Sequence, residues 1–506
     1  MPNSSTTIDV EGFLQRFQSQ EKWHLAWVIG VALFLSLWRL GSHSVYEWDE
    51  SRYGEIAFWM NKTGDYITYL YAGQLDTWNA KPPLGVWLIA SSYKILGLNE
   101  WALRVPSALA TVGFFTLFFR FICLYRQSSF AFLCCMILMT CKGIIGHHVG
   151  RTGDTDSILL CCLMGFVYAM ALYLDKNKPG AIIWAGLCLG LAFYAKGTAF
   201  VLYLPALFFY SLFRGKALRI IGDYRAWISM ILVLGVIFSW RVLVTQYGQE
   251  FETATHMGKN SWEVLIYYDT FHRFFTPGVE GNSSTTADYA FFFSALDVKF
   301  NLWNYVFYLG IAAGMALLWK HKHRFRHLLA EDQNRLLLIS TLLVVTQGII
   351  LTVSQSKLVW YITPLLPFAA IWAGWFVAFS SKKKTWMVYI WVLLWLLTFG
   401  RQFYYLHQVE EDRGHFLRNN KDKIVAADKL WIYNSLHQDI RLYADWYNAE
   451  VYYLAEWEGW EDALVSDQIL LANLTDHQLN ALGEVKGIEY VSFENFHLIW
   501  KREVPK

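Results

Sequence analysis

The chain has 506 residues, 55% of them hydrophobic and only 17% charged, with a net charge of +2 at pH 7. An ordinary soluble domain carries about 25% charged residues, so this composition excludes that class. A near-neutral balance gives no basic surface for nucleic acid.

The N-terminus is polar through Lys22, and no small-residue cleavage site follows the first apolar run. This predicts a retained signal-anchor helix and not a cleaved signal peptide. Runs able to cross about 30 Å of hydrocarbon lie at 23–40, 106–125, 129–148, 157–174, 180–195, 198–213, 226–246, 302–319, 336–353, 358–379 and 385–402, eleven in all. The stretch Leu84–Leu98 is shorter and holds Ser91, Ser92 and Lys94, so it is expected to lie on the membrane or re-enter it.

Positive charge tests that choice. With eleven spans and the N-terminus inside, the inner loops collect Arg120/Arg126, Lys176/Lys178, Arg214/Lys216/Arg219, Lys320–His327 and Lys382–Lys384. The short outer turns then hold little beyond Arg151, Lys196 and Lys357. Counting 84–98 as a span would invert every later loop. The expected fold is an α-helical polytopic membrane protein of about eleven or more spans.

Four segments then share the outer face: the first loop (41–105), the turn Gly150–Asp156, the loop 247–301 and the tail after Tyr405. In the tail, apolar runs at Leu430–Tyr433, Val451–Leu454, Gln468–Leu471, Glu489–Val491 and His497–Trp500 alternate with helix-like stretches such as His437–Tyr447. This pattern predicts a small soluble α/β domain over 406–506 after a transmembrane domain over 1–405. All seven cysteines sit in apolar runs without CxxC spacing, which reads as helix packing.

The first loop holds Asp49-Glu50-Ser51-Arg52-Tyr53. Two acids at a helix start favour its positive end, which is one reading. The other is a carboxylate at the bilayer edge that accepts a proton or binds a metal. Lys81-Pro82-Pro83 either stiffens a turn, with Lys81 reaching to the interface, or sets a rigid lysine for a phosphate. Arg151-Thr152-Gly153-Asp154-Thr155-Asp156 is either a cap for the next span or a hydroxyl or metal site. His147 and His148 are adjacent, and neighbouring helical residues point apart, which disfavours zinc. Lys357 and Tyr361 are placed one turn apart on a helical face, as interfacial anchors or phosphate contacts.

Together these pieces, with Glu55-Ile56-Ala57, Thr63-Gly64-Asp65, Asn99–Ser107 and Pro364, resemble the GT-C membrane glycosyltransferases. The likeness is to the bacterial branch of the protein O-mannosyltransferase-like superfamily that includes the lipid A aminoarabinose transferases, and it runs over roughly 20–380. The resemblance implies an inverting transferase that moves a sugar from a polyprenyl-phosphate donor to a lipid, glycan or protein acceptor. It implies multi-pass placement in a bacterial inner membrane, with the reaction on the outer face. By the family pattern Asp49 sits at the reaction centre, with Asp154 or Asp156 as the second acid. Lys81, Arg52, Tyr361 and Lys357 face the donor phosphate, and Glu50, Tyr53, Arg151, His272 and Arg273 are further candidates. The family's aminoarabinose branch carries a Glu before the KPP lysine and a later Glu-His pair. Here those positions are Ala80 and Asp269-Thr270. A divalent ion is left open, with Asp49, Asp156 and Glu280 as candidate ligands. The rival reading is a transporter or flippase for a lipid-linked sugar. Such proteins show internal repeats and charges midway along spans, whereas ionisable residues here sit mainly at span ends.

Overall fold

The computed structural model describes residues 20–76, 79–248, 260–276, 290–320 and 331–409, and all but scattered positions of 411–501. The helices used below are α1 (Glu21–Leu37), α2 (Asp49–Thr63), α3 (Leu84–Leu96), α4 (Glu100–Cys123), α5 (Ser128–Met139), α6 (Asp156–Leu174) and α7 (Ala181–Lys196). They continue with α8 (Leu204–Phe213), α9 (Tyr224–Gln246), α10 (Phe291–Phe300), α11 (Trp303–Lys320), α12 (Asp332–Val353), α13 (Leu366–Lys383) and α14 (Met387–His407).

Among the described residues, seven helical stretches are long and apolar enough to cross a membrane. The bent pair α10–α11, with 120° between its arms, makes an eighth. The expected eleven differs for three physical reasons. α1 has 17 residues, a rise of about 25 Å. α5 has 12 and ends at Met139, well short of 148. Beyond it the chain folds back, with Gly143 N–H on Lys299 C=O at 3.0 Å and Gly150 N–H on Ile144 C=O at 3.2 Å. The third reason is Ala181–Phe213, one stretch by length, which reverses at Gly197 (φ 57°) through a 3₁₀ segment, Gly197–Tyr203. Lys196 Nζ reaches Asp156 at the start of α6. Tyr210 and Arg214 reach Asp175, just past the end of α6. α6 is about 28 Å long by its rise, so α7 and α8 are antiparallel legs.

Ion pairs define one end of the bundle: Glu21–Arg120 at 2.6 Å, Lys176–Asp332 at 2.8 Å and Asp175–Arg214 at 3.0 Å. These are charges that the positive-inside reading grouped together. α3 is too short to span at 13 residues, and it packs under α2 through Asn61 Nδ2 on Ala90 C=O at 2.8 Å. The seven cysteines are free, and each is buried or half-buried.

The C-terminal sheet forms where the short apolar runs of the tail predict strands. A hairpin in the first loop supplies β1 (Leu70–Tyr71) and β2 (Gln74–Leu75). The sheet itself holds β3 (Lys429–Tyr433), β4 (Glu450–Leu454), β5 (Gln468–Asn473), β6 (Ile488–Phe493) and β7 (Phe496–Lys501). Its order is β4-β3-β5-β7-β6, with β3 parallel to both β4 and β5 and β7 antiparallel to β5 and β6. Leu430, Ile432, Leu471 and Leu498 face the main core, while Leu470, Ala472 and Ile499 join Trp460 and Leu464 on the other side. Helix α15 (Gln438–Trp446) falls on the predicted His437–Tyr447 stretch and lies against the first loop. Tyr443 Oη donates to Glu100 at 2.8 Å and accepts from Val45 N–H at 3.0 Å. Arg413 bridges Glu47 (2.5 Å) and Asp439 (2.9 Å).

Candidate active site

The first loop is held from below by two arginines. The last carbonyls of a helix have no intrahelical partner. Arg151 donates to those of Leu35 (2.7 Å), Ser36 (3.2 Å) and Trp38 (2.7 Å) at the end of α1. Arg104, 1% exposed, takes Leu40, His43 and Ser44 carbonyls and both oxygens of Glu50, at 2.7 and 2.8 Å. Glu50 also accepts from Tyr46 N–H and Gly153 N–H. Glu50 and Arg151 are thus framework groups that tie the first loop to the 150–156 turn.

The same tie brings Asp49 to that turn. Asp49 is the first residue of α2, after Trp48 in left-handed geometry (φ 74°), and no side chain caps the helix. One ligand atom each from Asp49, His148 and Asp154 lie within 4.8 Å of one another. Asp154, 3% exposed, accepts from Thr152 Oγ1 at 2.6 Å and faces His148 Nδ1 at 3.4 Å. His148 has φ 66° and stacks on Trp360 at 3.8 Å. Burial pushes the Asp49 carboxyl up, yet Lys81, Lys196, His148 and Arg273 outweigh it and hold it below the usual range. Burial works against charged His148 as well, but its contact with Asp154 raises it above the ordinary imidazole value.

Asp156 goes elsewhere. Its carboxylate takes Lys196 Nζ at 2.6 and 2.5 Å. Both line a cavity of about 390 Å³ with Lys81, Asp269, Arg273 and Tyr361. Lys81 Nζ donates to Tyr53 Oη at 3.0 Å. Burial pushes Lys81 down, but Tyr53, Asp49 and Asp269 keep it above its ordinary value, a fixed cation. Arg273 donates to Tyr361 Oη at 2.8 Å and to Asp269 at 3.2 Å. The same cavity is also lined by Val201, Leu202, Leu265, Ile350 and Leu351. It therefore combines cationic and aliphatic side chains.

Three expected phosphate or site groups lie off this cavity. Arg52 turns to Asp76, with Nε at 2.9 Å, and lies over the Tyr71 ring. Lys357 donates to Thr352 C=O at 3.0 Å, closing the end of α12. Lys357 and Tyr361 do not share a helical face, because the 3₁₀ turn Val359–Leu365 begins after Lys357. His272 stacks on Tyr268 at 5.4 Å. Glu280 lies outside the described residues. Conversely Lys196 and Asp269 line the site although neither was among the expected site residues. Lys196 counts in the sequence only among the charges of the short outer turns, and the structure pairs it with Asp156 where the chain reverses at Gly197.

Two carboxylates and an imidazole are a suitable donor set for a divalent ion. The buried His148 Nδ1 has no hydrogen-bond partner within normal length, so Asp49, His148 and Asp154 fit such an ion. Asp156, tied to Lys196, does not join them.

The profile of the family described as dolichyl-phosphate-mannose-protein mannosyltransferase matches residues 80–242. A protein of Aquifex aeolicus is 27% identical over 381 residues, covering 74% of this chain and 68% of that one. An undecaprenyl phosphate-alpha-4-amino-4-deoxy-L-arabinose arabinosyl transferase of Pseudomonas fluorescens is 25% identical over 265 residues, covering 50% of this chain and 44% of that protein. The crystal structure of ArnT from Cupriavidus metallidurans bound to undecaprenyl phosphate superposes with a TM-score of 0.65 at 16% identity, covering 94% of this chain and 97% of that one. That likeness establishes the GT-C fold.

Proposed function

We propose that this chain, a GT-C membrane glycosyltransferase resembling the lipid A aminoarabinose transferases, moves a sugar from a polyprenyl-phosphate donor to an acceptor oxygen. The observation that carries the reading is the cavity lined by both fixed cations and aliphatic side chains. A lipid phosphate needs both. Lys81, Lys196 and Arg273, with the Tyr361 hydroxyl, hold the phosphate. The aliphatic side chains from Leu265 to Ile350 take the first isoprene units.

The phosphate is already a good leaving group, so the site needs charge stabilisation more than a general acid. The acceptor oxygen attacks the anomeric carbon as the carbon–oxygen bond to phosphate breaks, and that electron pair leaves with the phosphate. Asp49, ionised in the resting site, orients the attacking hydroxyl and accepts its proton as the new bond forms. One displacement inverts the anomeric centre. A divalent ion on Asp49, His148 and Asp154 would supply positive charge beside the attacking oxygen. We place the protein in a bacterial inner membrane with Asp49 on the outer face, in accord with the positive-charge distribution. The acceptor is a lipid, glycan or protein hydroxyl, or a phosphate.

Purified protein in liposomes, given radiolabelled polyprenyl-phosphate sugars and a membrane extract, tests this reading. Label should leave the polyprenyl phosphate and appear on an acceptor in wild type. If label stays on every donor tried, or if Asp49→Asn transfers at the wild-type rate, the assignment fails.

A further inference from the structure

Glu55 lies further along the helix that Asp49 begins, and it is fully buried. Its Oε1 accepts from Trp59 Nε1 at 2.9 Å and from Ala72 N–H at 3.0 Å. The same indole N–H also meets Asp445 Oδ2 at 3.1 Å, on α15 of the C-terminal sheet domain. Two carboxyl groups thus flank one donor across the joint between α2 and α15. Glu55 Oε2 is buried without a donor. Arg441 pairs with Asp445 at 3.0 Å and reaches Glu55 only at 3.8 Å. One cation therefore faces two acids.

A buried acid without a matched cation is costly when ionised, and like charges at close range cannot both be held. A proton shared by the pair resolves both problems, since the neutral carboxyl can donate to the carboxylate beside it. We propose that Glu55 and Asp445 share one proton, and that this proton latches the C-terminal domain onto the helix that carries Asp49. The latch is a property of the joint itself; that it governs transfer rests on the reading of Asp49 above.

The surroundings agree. Glu55 is pushed well above the ordinary carboxylate range by burial first and by Asp445 second. The other polar groups facing the pair are Arg441 from α15, Tyr71 from the hairpin and Tyr93 from α3, with Tyr453 of β4 beside Arg441 and Tyr71. Tyr71 is pushed above the ordinary phenol range by burial, and Asp445 and Glu55 keep Arg441 charged against its burial, so the proton of this joint is assigned to Glu55. The joint is otherwise close-packed: a Cβ placed on Gly54 would lie 2.8 Å from Leu442 Cδ2.

The sign follows from linkage. The docked pair holds a proton that an undocked Glu55 releases above its ordinary titration, so opening releases one proton. The stabilisation is complete below the undocked value and is lost as pH rises through the docked one. Between those limits the opening constant should rise about tenfold per pH unit.

Amide hydrogen exchange on the full-length protein in detergent, corrected for intrinsic rates, reads this slope in α2 and α15. The expected slope is one proton for wild type. It should be zero for Glu55→Gln, whose amide keeps the oxygen for Trp59 and donates to Asp445, and should end at a lower pH for Asp445→Asn, which removes the neighbouring charge but leaves Glu55 buried. A flat wild-type profile overturns the latch, as does a slope of one in Glu55→Gln or an unchanged upper pH limit in Asp445→Asn. If Glu55→Gln does not fold, the wild-type slope and Asp445→Asn decide. Transfer measured alongside should decline at alkaline pH in wild type but not in Glu55→Gln. Exchange slopes as expected with no transfer by any form would count against the transferase reading and leave the latch standing.

Discussion

Two adjacent acids, Asp49 and Glu50, have different partners. Glu50 is locked in a buried ion pair with Arg104 at 2.7 Å, while Asp49 faces His148 and Asp154. Removing one partner of a buried pair typically costs about 3–5 kcal/mol. Glu50→Ala should therefore lower stability by that order, read as an early melting transition in detergent. Asp49→Asn should leave melting and donor binding intact while transfer falls by about 10²-fold or more. Lys196→Ala should weaken polyprenyl-phosphate binding about tenfold or more, the loss of one charge-assisted contact, measured by titration with the lipid phosphate. An unchanged affinity would move the phosphate away from Lys196. The family pattern names Lys81 and Tyr361, with Arg273 as a further candidate, and all three line the cavity. Lys196 reads in the sequence only as a charge in the outer turn between 180–195 and 198–213, and the pairing with Asp156 that turns it to the cavity is not visible in local sequence. Arg52 and Lys357 had the right charge and position, but a nearby acid in one case and open helix carbonyls in the other claim them.

The elements that frame the site meet at small residues. A Cβ on Gly85 in α3 would lie 2.4 Å from Thr155 Cγ2, between Asp154 and Asp156. Overpacking of this kind costs about 1–3 kcal/mol. Gly85→Ala should slow transfer, and adding Thr155→Ser, which removes that methyl, should restore most of the rate. A double variant no faster than the single would show that the contact does not position the turn. The five C-terminal strands were legible because short apolar runs there are separated by helix-like stretches, and strands such as Gln468–Asn473 are buried along most of their length. The end of α5 was not, since the apolar run continues past Met139 while the backbone turns to meet Lys299.

Across the whole molecule, one end carries the ion pairs of Glu21, Lys176 and Arg214, and the other carries Asp49, the C-terminal sheet and the cavity mouth. Cysteines introduced at Asp65 and Asn448 should react with an impermeant maleimide from one side of sealed vesicles. One at Lys383 should react from the other. Labelling of Asp65→Cys and Lys383→Cys from the same side would refute the odd number of crossings. Two separate legs, 180–195 and 198–213, are expected from the sequence, and the chain does reverse between them at Gly197.

The arginine clasp also constrains how the protein is made. Arg104 and Arg151, which shape the loop around Asp49, belong to α4 and to the turn after α5. A chain emerging into the bilayer with only its first leg inserted has the Asp49 segment but nothing to mould it. The reaction centre can take shape only once the later legs have been threaded, so a truncated or stalled product carries the acids yet presents no working site.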